Sequence, residues 1–321
     1  MAIFEKLRKK SPYDQFYPVG SQQMEEQMII CLQSGQEIPF VLPAFPAKSP
    51  NEKTKVLGPD PDLGEEISLR FLHGIFQKMH NILKRNGFAG VNMQIILDGA
   101  IYSDILGISD ETMQKYRKGL QRIYAEICDG QAPLISFVTP EEILQVSDSK
   151  ACRETMLKDF SLTPGQVMNF VYENPGELAA FQGISLFLID DLPELPLTGR
   201  SKKQLRRDRR MEAKTVAQVM MFRKRAFDGF IKIYCPGIRL SIHPHLGNAG
   251  KVAINLLPGG ADTGTPWHNA PICHSDGRVE FMKREKAEKL HGYTLKYKYG
   301  NPYCFKPGSP PKLSERLWMG E

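Results

Sequence analysis

The chain has 321 residues, 41% hydrophobic and 24% charged, the composition of a soluble globular protein that can bury a sizeable core. Its 42 Lys and Arg residues against 36 Asp and Glu give a formal net charge of +6, which suits an anionic small ligand as well as nucleic acid. The six cysteines are scattered without a C-x-x-C pair, which argues against a zinc site or a disulfide scaffold. The sequence has no apolar leader and no long uncharged apolar stretch, so we expect a cytoplasmic protein without a membrane span.

Predicted strands and predicted helices alternate along the first half of the chain. Short apolar runs predict strands over residues 38–42, 91–97 and 133–138, and apolar positions at helical spacing predict helices over 65–84 and 110–128. This order favours an α/β fold with a mostly parallel, Rossmann-like sheet and helices on both faces.

The signals further along the chain are mainly helical. Thr139 and Thr163 each precede a proline and carry the spacing of a capping box, which marks the start of a helix. We treat 1–321 as a single α/β enzyme domain, in which 1–34 form an N-terminal helical extension and 140–235 a mainly helical insertion.

A proline-rich loop follows the first predicted strand. The three prolines of residues 43–51 restrict the backbone, so this loop is expected to be stiff and extended. It would hold Lys48, Ser49 and Asn51 in fixed places beyond the carboxyl end of a strand, where ligands bind in open α/β sheets. The alternative is a rigid connection that carries a solvated lysine.

A second polar pattern lies in the strand predicted over residues 238–245. Alternation would place Arg239, Ser241 and His243 on one face, where a guanidinium, a hydroxyl and an imidazole would project together. Lys251 begins the next predicted strand and could complete a cationic cluster. The alternative is that these side chains form the solvent face of an edge strand.

The long helix predicted over residues 201–234 begins with a run of lysines and arginines. The run lacks interleaved aromatic residues and any recognisable nucleic-acid-binding motif. A solvated face or a lid over an anionic site is favoured, and we expect neither nucleic acid nor a membrane as a partner. A basic nucleic-acid-binding module stays as an alternative.

The histidines of the second half raise another alternative, a metal-dependent oxygenase. A two-histidine, one-carboxylate iron site could draw on His243, His245, His268, His274 and Asp276. Their spacing matches no specific ligand motif, and the sequence contains neither the dinucleotide fingerprint nor the Walker A loop. The sequence therefore gives no positive support for a metal or a nucleotide.

Several strings, taken in order, resemble one family. They are FVLPAFPAKSPN, KVLGPDPDLGEE, DGAIYSDILGISDETMQKYRKGL, KTVAQVMMFRKRAF, IRLSIHPH and TPWHNA, and together they span residues 35 to 275. This pattern resembles the isocyanide (isonitrile) synthases of the pyoverdine-cluster and dityrosine-biosynthesis type. One departure is Leu97, where the family pattern leads us to expect a serine before Asp98-Gly99.

The resemblance implies an activity and its partners. Bacterial members of the family convert the amine of tyrosine or tryptophan into an isonitrile and take the extra carbon from ribulose 5-phosphate. No metal or nucleotide cofactor is implied, and we expect none. A downstream iron/2-oxoglutarate oxygenase that acts on the product is implied as a further partner. Between the two amino acids, tyrosine is favoured.

This chemistry calls for fixed cations and for groups that transfer protons. The imine-forming and eliminating steps need an acid or base, and phosphate loss needs cations on the leaving group. The candidates for proton transfer are His243 or His268, assisted by Asp98 or Asp104. The candidates for binding the phosphate and substrate are Lys48, Ser49, Asn51, Arg239, Ser241 and Lys251.

Overall fold

A five-stranded parallel sheet forms the centre of the molecule. The computed structural model describes residues 8, 17–192, 199, 201–243, 250–258 and 265–308. The strands are β1 (Ile38–Ala44), β2 (Val91–Leu97), β3 (Ile135–Val138), β4 (Ile238–Ser241) and β5 (Val252–Ala253). They lie in the order β3-β2-β1-β4-β5, and every neighbouring pair is parallel. The predicted α/β class with a mostly parallel sheet is confirmed.

Helices cover both faces of this sheet. They are α1 (Tyr17–Gln33), α2 (Leu63–Arg85), α3 (Gly99–Leu106), α4 (Asp110–Cys128), α5 (Pro140–Leu144), α6 (Ser149–Phe160), α7 (Pro164–Glu173), α8 (Pro175–Asp191) and α9 (Lys202–Tyr234). Successive residues of a strand point to opposite faces, so Phe40 and Leu42 pack with α2 and α4, whereas Val41 packs with α6 and α9. Each fully buried apolar side chain of this kind contributes about 1.5–3 kcal/mol to the stability of the fold. In the described part of the chain, no helix is long and apolar enough to cross a membrane.

The helix starts follow the capping signals of the sequence. Thr139 and Thr163 each accept a hydrogen bond from the backbone of the third helical residue, and that residue's side chain binds back in a capping box. The predicted starts of α5 and α7 are therefore confirmed. The predicted long helix is also confirmed, because α9 begins behind the capping residue Ser201 and ends at Tyr234.

The helices between β3 and β4 make a separate apolar cluster. Helices α7 and α8 pack against α9 through buried side chains that include Phe181, Leu188 and Met221. The same α9 then packs on the sheet through Phe227 and Phe230. One long helix therefore joins the helical insertion to the central sheet. The division into a single domain with an extension at 1–34 and an insertion at 140–235 stays a prediction.

A second sheet near the carboxyl end was not predicted. It consists of β6 (Ala270–Cys273), β7 (Val279–Met282), β8 (Tyr293–Lys298) and β9 (Asn301–Pro307), in the order β7-β6-β9-β8, with the short helix α10 (Arg284–Ala287) between β7 and β8. Its small core includes Ala270, Ile272, Phe305 and Leu57. Leu57 belongs to the chain that links β1 to α2, so the second sheet packs against the connection that leaves the central sheet.

Two predicted strands are shorter than expected. β4 stops at Ser241, and the strand predicted over residues 251–258 contains only Val252–Ala253. Beyond it, Leu256 and Leu257 are buried in irregular chain, so their apolar character reflects core packing without a strand. β4 lies between β1 and β5, which excludes the alternative that it is an edge strand.

The loop after β1 has an unusual backbone that its prolines do not predict, since Phe45 precedes Pro46 without being extended. Phe45 has a φ of 59° and Ala47 a φ of 149°, conformations that L-residues rarely adopt. Phe45 is fully buried, and its ring packs on Trp267 with 5.3 Å between ring centroids. The loop also passes very close to the first residue of α3, because a Cβ built on Gly99 would lie 2.0 Å from the carbonyl oxygen of Pro46.

We predict that Gly99→Ala destabilises the protein. The new methyl group would overlap the Pro46 carbonyl, and overpacking against backbone costs about 1–3 kcal/mol or more. Urea denaturation measures the free energy of unfolding. Gly183→Ala in α8 is the matched control, because a Cβ there meets no atom within 4 Å. This variant should be about 0.5–1 kcal/mol more stable than the wild type, since alanine is favoured over glycine within a helix. Equal stability of Gly99→Ala and the wild type would show that the loop does not press on α3.

Candidate active site

The strand order places a ligand-binding crevice beside β1 and β4. The chain order reverses between these two strands, and in open α/β sheets ligands bind at the carboxyl ends of the strands on either side of such a reversal. Val41 of β1 pairs with Arg239 of β4. The proline-rich loop therefore lies next to the polar end of β4. The sequence indicated these two segments separately.

Arg239 and Lys251 form a cationic cluster around a carboxylate that sequence reasoning missed. Oδ1 of Asp228, on α9, accepts from Lys251 Nζ at 2.7 Å and from Arg239 Nη2 at 3.4 Å. Lys224 Nζ lies 3.8 Å from the other oxygen of Asp228 and also binds Glu177 at 2.7 Å. Burial alone would raise the pKa of Asp228, but the surrounding cations hold it well below its usual range. The cluster keeps one surplus positive charge.

Arg239 still has donor capacity in this cluster. Its Nη1 is buried and has no hydrogen-bond partner among the described residues. A buried guanidinium nitrogen without a partner is costly unless a ligand or water completes its hydrogen bonds. Burial lowers the pKa of Arg239, and Asp228 opposes that shift, so the group stays a cation.

Asp98 lies between the end of β2 and the start of α3, and its carboxyl group does not cap the helix. Its Oδ1 is buried without a hydrogen-bond partner in the described part of the chain. Burial raises the pKa of Asp98 to about 7, and the charge of Arg239 opposes that rise. Tyr102, one turn along α3, has a pKa raised first by burial and then by the charges of Asp98 and Asp228. A carboxyl group that titrates near neutrality is suited to proton transfer.

Asp104 does not share this environment. Both of its oxygens accept from Arg223, at 2.5 and 2.9 Å, and Arg153 lies 3.6 Å away. Burial alone would raise the pKa of Asp104, but the hydrogen bonds and charge of Arg223 hold it below its usual range. Its expected role in proton transfer stays a prediction, which this environment does not favour. Asp104 is an ion-pair partner that joins α3 to α9.

Lys48 is buried in an ion cluster of its own. Its Nζ lies 2.7 Å from Asp62 Oδ2 and 2.8 Å from Glu65 Oε2, and it donates to the carbonyl oxygen of Pro266 at 3.1 Å. Burial would lower the pKa of Lys48, but the two carboxylates outweigh burial and raise it. Three acceptors occupy the three donors of the ammonium, and the phosphate contact expected for Lys48 stays a prediction. The lysine ties the loop to the start of α2.

Ser49 and Asn51 also bind protein groups. Ser49 Oγ donates to Asp191 Oδ1 at 2.7 Å, and Asn51 Nδ2 donates to the carbonyl oxygen of Asp190 at 2.7 Å. Asn51 Oδ1 accepts from the backbone of Thr54, which closes a turn. Both residues thus connect the loop to the end of α8, and their expected substrate contacts stay predictions.

His268 lies beside Asp191 in a 3-10 helix, Pro266–His268. The two side chains approach to 3.8 Å between Nδ1 of the histidine and Oδ2 of the aspartate. Burial lowers the pKa of His268 to about 4, although Asp191 favours the charged form, so the imidazole is neutral at neutral pH. The sequence indicated His268 but not Asp191, because Asp191 is one of many acidic residues in the chain and no pattern distinguishes it.

His243 and Ser241 lie at the end of β4. Ser241 is buried, as expected for the face it shares with Arg239, and its Oγ accepts from the backbone of His243 at 3.2 Å. His243 itself follows the strand and is exposed, so strand alternation does not define which way its side chain points. The expectation that all three residues share one strand face is corrected for His243.

The metal and nucleic-acid alternatives receive no new support. His274 binds Tyr293 at 2.7 Å and Glu280 at 3.1 Å within the second sheet, and Asp276 binds Arg278. His245 lies outside the described residues. Within the described ranges, no three His, Cys, Asp or Glu side chains are grouped so that they could hold a metal ion. The first turns of α9 are mostly exposed.

A cleft of about 500 Å³ opens beside Asp98. Such a volume suits a small ligand. The residues on either side of Asp98 in the chain line it, and Leu97, the departure from the expected serine, forms part of its apolar wall. The other apolar lining residues include Phe45, Pro46, Ala100 and Met113, and the polar ones include Arg117 and Glu141.

We predict that Lys48→Met destabilises the protein by about 3–5 kcal/mol, because it leaves two buried carboxylates without their cation. Chemical denaturation measures this loss. Lys115→Met is the control, since Lys115 makes an exposed pair with Glu111 on α4 and its loss should lie within error. If Lys48→Met has unchanged stability but binds a sugar phosphate more weakly, Lys48 contacts the phosphate.

Comparison with known proteins gives the family. The family model for pyoverdine/dityrosine biosynthesis proteins matches residues 29–295. The chain is 32% identical over 299 residues to an L-tryptophan isonitrile synthase of Fischerella ambigua, which covers 92% of this chain and 85% of that protein. It is 31% identical over 265 residues to an L-tyrosine isonitrile synthase of Xenorhabdus nematophila, and the match covers 81% of this chain and 75% of that protein.

A solved structure agrees with these sequence matches. The crystal structure of the PvcA protein from Pseudomonas aeruginosa superposes with a TM-score of 0.79 at 26% identity, and the match covers 95% of this chain and 98% of that one. The resemblance found in the sequence is confirmed, and the chain belongs to the pyoverdine/dityrosine biosynthesis protein family, which includes these isonitrile synthases.

Proposed function

We propose that the chain converts the amine of an aromatic L-amino acid, tyrosine or tryptophan, into an isocyanide, with ribulose 5-phosphate as the carbon donor. The names of the relatives support the reaction class, and the resemblance supplies the donor. The observation that carries the proposal is the pairing of a cationic cluster at Arg239 with a carboxyl group that titrates near pH 7 at Asp98. The downstream oxygenase implied by the resemblance belongs to the same proposal.

The cationic cluster provides a place for the phosphate. A planar guanidinium with an unused donor binds phosphate oxygens well, and Lys251 adds a second positive charge within the same cluster. Fixed cations also stabilise the negative charge that develops when phosphate leaves. Asp228 binds both cations, and its negative charge offsets the repulsion between them.

The proton transfers divide between two places. The amine adds to the carbonyl carbon of the sugar phosphate, the carbonyl oxygen leaves as water, and an imine forms. Asp98 then accepts the proton from C3 of the sugar, next to the imine, and the resulting enaminol becomes a ketone at C3. Loss of the C4 proton next to this ketone then expels phosphate from C5. Imine formation needs a second proton-transfer group, for which His243 and His268 are the candidates. Each positioned acid or base typically contributes about 10²–10⁴-fold to the rate.

The cleft beside Asp98 provides the slot for the aromatic side chain. One side of the cleft, formed by Phe45, Leu97 and Met113, is apolar and suits an aromatic ring, whereas most of the remaining lining is polar or charged. An amino acid in the slot would lie near Asp98, whose two chain neighbours line the cleft. Asp98, between β2 and α3, would then connect the slot with the phosphate site.

The first test is incubation with tyrosine or tryptophan and carbon-labelled ribulose 5-phosphate, followed by mass spectrometry for a labelled isonitrile. Asp98→Asn should lower kcat by about 10²–10⁴-fold, and it should remove the rise of kcat/KM with pH through about 7 that a basic carboxylate gives. Arg239→Met should raise KM for ribulose 5-phosphate by about 10- to 150-fold. Arg210→Met, on the exposed start of α9, is the control.

The alternatives predict different results in the same assay. Turnover that is lost on chelation and restored by one divalent metal would favour the metal-dependent oxygenase. Absence of labelled product, together with nucleic-acid binding that weakens steeply with salt, would favour the basic binding module.

The aromatic slot makes a separate prediction. Met113→Trp should partly fill the cleft and raise KM for the amino acid at least about 10-fold, a loss of about 1.4 kcal/mol, with KM for ribulose 5-phosphate unchanged. Steady-state kinetics with each substrate varied in turn measures both values. Lys118→Trp, on the exposed face of the same helix, is the control. An unchanged KM for both amino acids would place the slot elsewhere.

A further inference from the structure

Asp191 lies at a helix end that several other parts of the chain hold in place. It is the last residue of α8 and only 5% exposed. Side chains from other parts of the chain bind the last carbonyl groups of this helix, which otherwise have no intrahelical partner. Lys55 binds the carbonyl of Phe187 at 3.2 Å, Arg209 those of Ile189 at 2.9 Å and of Leu192, and Asn51 that of Asp190 at 2.7 Å.

The two oxygens of the Asp191 carboxylate are used differently. Oδ1 accepts from Ser49 Oγ and lies 2.7 Å from both that atom and Lys55 Nζ. Oδ2 is buried without a hydrogen-bond partner among the residues that the structure describes. The carboxylate is therefore fixed by one oxygen while the other is available.

The free oxygen faces a histidine nitrogen that is also free. His268 Nδ1 is buried, lies 3.8 Å from Asp191 Oδ2, and has no hydrogen-bond partner within the described ranges. The gap exceeds hydrogen-bond length by less than about 1 Å. Hydrogen bonds that serve a reaction are often this long before substrate binds and shorten in the complex. Two unpartnered groups of opposite character that face each other point to a contact that closes in use.

The rest of the imidazole ring is in contact with both protein and solvent. Its ring packs against Phe187 with 5.3 Å between centroids, and the His268 side chain is 32% exposed. Because Nδ1 is the buried nitrogen, Nε2 lies on the accessible side of the ring. The charged groups that act on this imidazole are Asp191, Lys55 and Lys48.

Given the proposed function, we propose that Asp191 positions His268 as the group that transfers protons to and from the amino-acid substrate. When the gap closes, Nδ1–H donates to Asp191 Oδ2, and Nε2 becomes the acceptor. Nε2 then takes a proton from the ammonium group of the amino acid, which yields the free amine and an imidazolium that Asp191 stabilises. After the amine has added to the carbonyl carbon, the oxygen takes one proton from the amine nitrogen and one from the imidazolium, and it leaves as water.

Kinetics of single and double variants test this role. His268→Gln should lower kcat by about 10²–10⁴-fold, and Asp191→Asn by about 10-fold or more. Because Asp191 acts through His268, Asp191→Asn should cause no further loss in the His268→Gln background, whereas independent structural effects would multiply. Asp190→Asn, at the neighbouring exposed position, is the matched control and should resemble the wild type. Wild-type kcat in either single variant, or multiplicative losses, would overturn the inference.

A second measurement is independent of turnover. Nitrogen NMR of the imidazole at neutral pH reports which ring nitrogen carries the proton. We expect the proton of His268 on Nδ1 in the wild type and a mixture of tautomers in Asp191→Asn. A proton on Nε2 in the wild type would overturn the contact with Asp191. Should Asp191→Asn fail to fold because Lys55 is left unpaired, Lys55→Met/Asp191→Asn removes both charges and carries the same test.

The outcomes separate this inference from the proposed function. If the wild type makes isonitrile and both single variants keep its kcat, only the present inference fails. If the wild type makes no isonitrile from either amino acid, the proposed function fails. In that case the proton position still decides whether Asp191 positions His268.

Discussion

One ammonium group, that of Lys48, determines how the chain leaves the first strand of the sheet. It is buried with Asp62 and Glu65, both on the first turn of α2 or its cap, and with the carbonyl oxygen of Pro266. Removing such charges from water is unfavourable unless every partner is in place. The loop after β1, the start of α2 and the 3-10 helix therefore hold one another in place, and each position depends on the other two. The left-handed Phe45 is sustained by this surrounding structure, which is how strained backbone persists in folded proteins.

The rigid loop divides the polar groups into two sets with different charge balance. The Lys48 set contains one cation and two carboxylates, whereas the Arg239 set contains Lys224, Lys251 and Arg239 against Asp228 and Glu177. A negatively charged sugar phosphate is favoured by the second set. Arg239 acts on the charge of Asp98, and the charge of Asp98 contributes to the raised pKa of Tyr116, which itself binds Glu65. It is thus the residue between the two sets.

The sequence predicts the helices and strands whose apolar residues recur with a strong periodicity. It fails for elements whose structure depends on contacts with distant parts of the chain. β2 and α4 have the predicted bounds, and α2 differs by at most two residues, because their apolar spacing and caps are clear. The second sheet was missed because β7 and β8 have no buried residue and carry charged side chains, so they lack the apolar run that marks β1 and β2. Such strands gain their stability from packing that a linear pattern does not display.

The site shows the same limit. The sequence identified the loop at Lys48, the cations Arg239 and Lys251, and the residues Asp98 and His268. It did not identify Asp62, Asp191 or Asp228, because acidic residues on helices are usually solvated and their burial depends on distant elements. For this reason the sequence predicts Lys48 as a ligand without showing the two carboxylates that surround it.

The charge of Asp228 has a consequence for how the cationic cluster responds to acidity. Because Lys251, Lys224 and Arg239 hold the pKa of this carboxyl group far below its usual range, its charge does not change near neutral pH. The charge of Asp98 does change there, because burial raises the pKa of this carboxyl group, on which Arg239 acts, to about 7. A phosphate ester changes its own charge near pH 6. Any dependence of phosphate affinity on acidity in that range therefore originates in the ligand and in Asp98, whereas Asp228 contributes a constant charge.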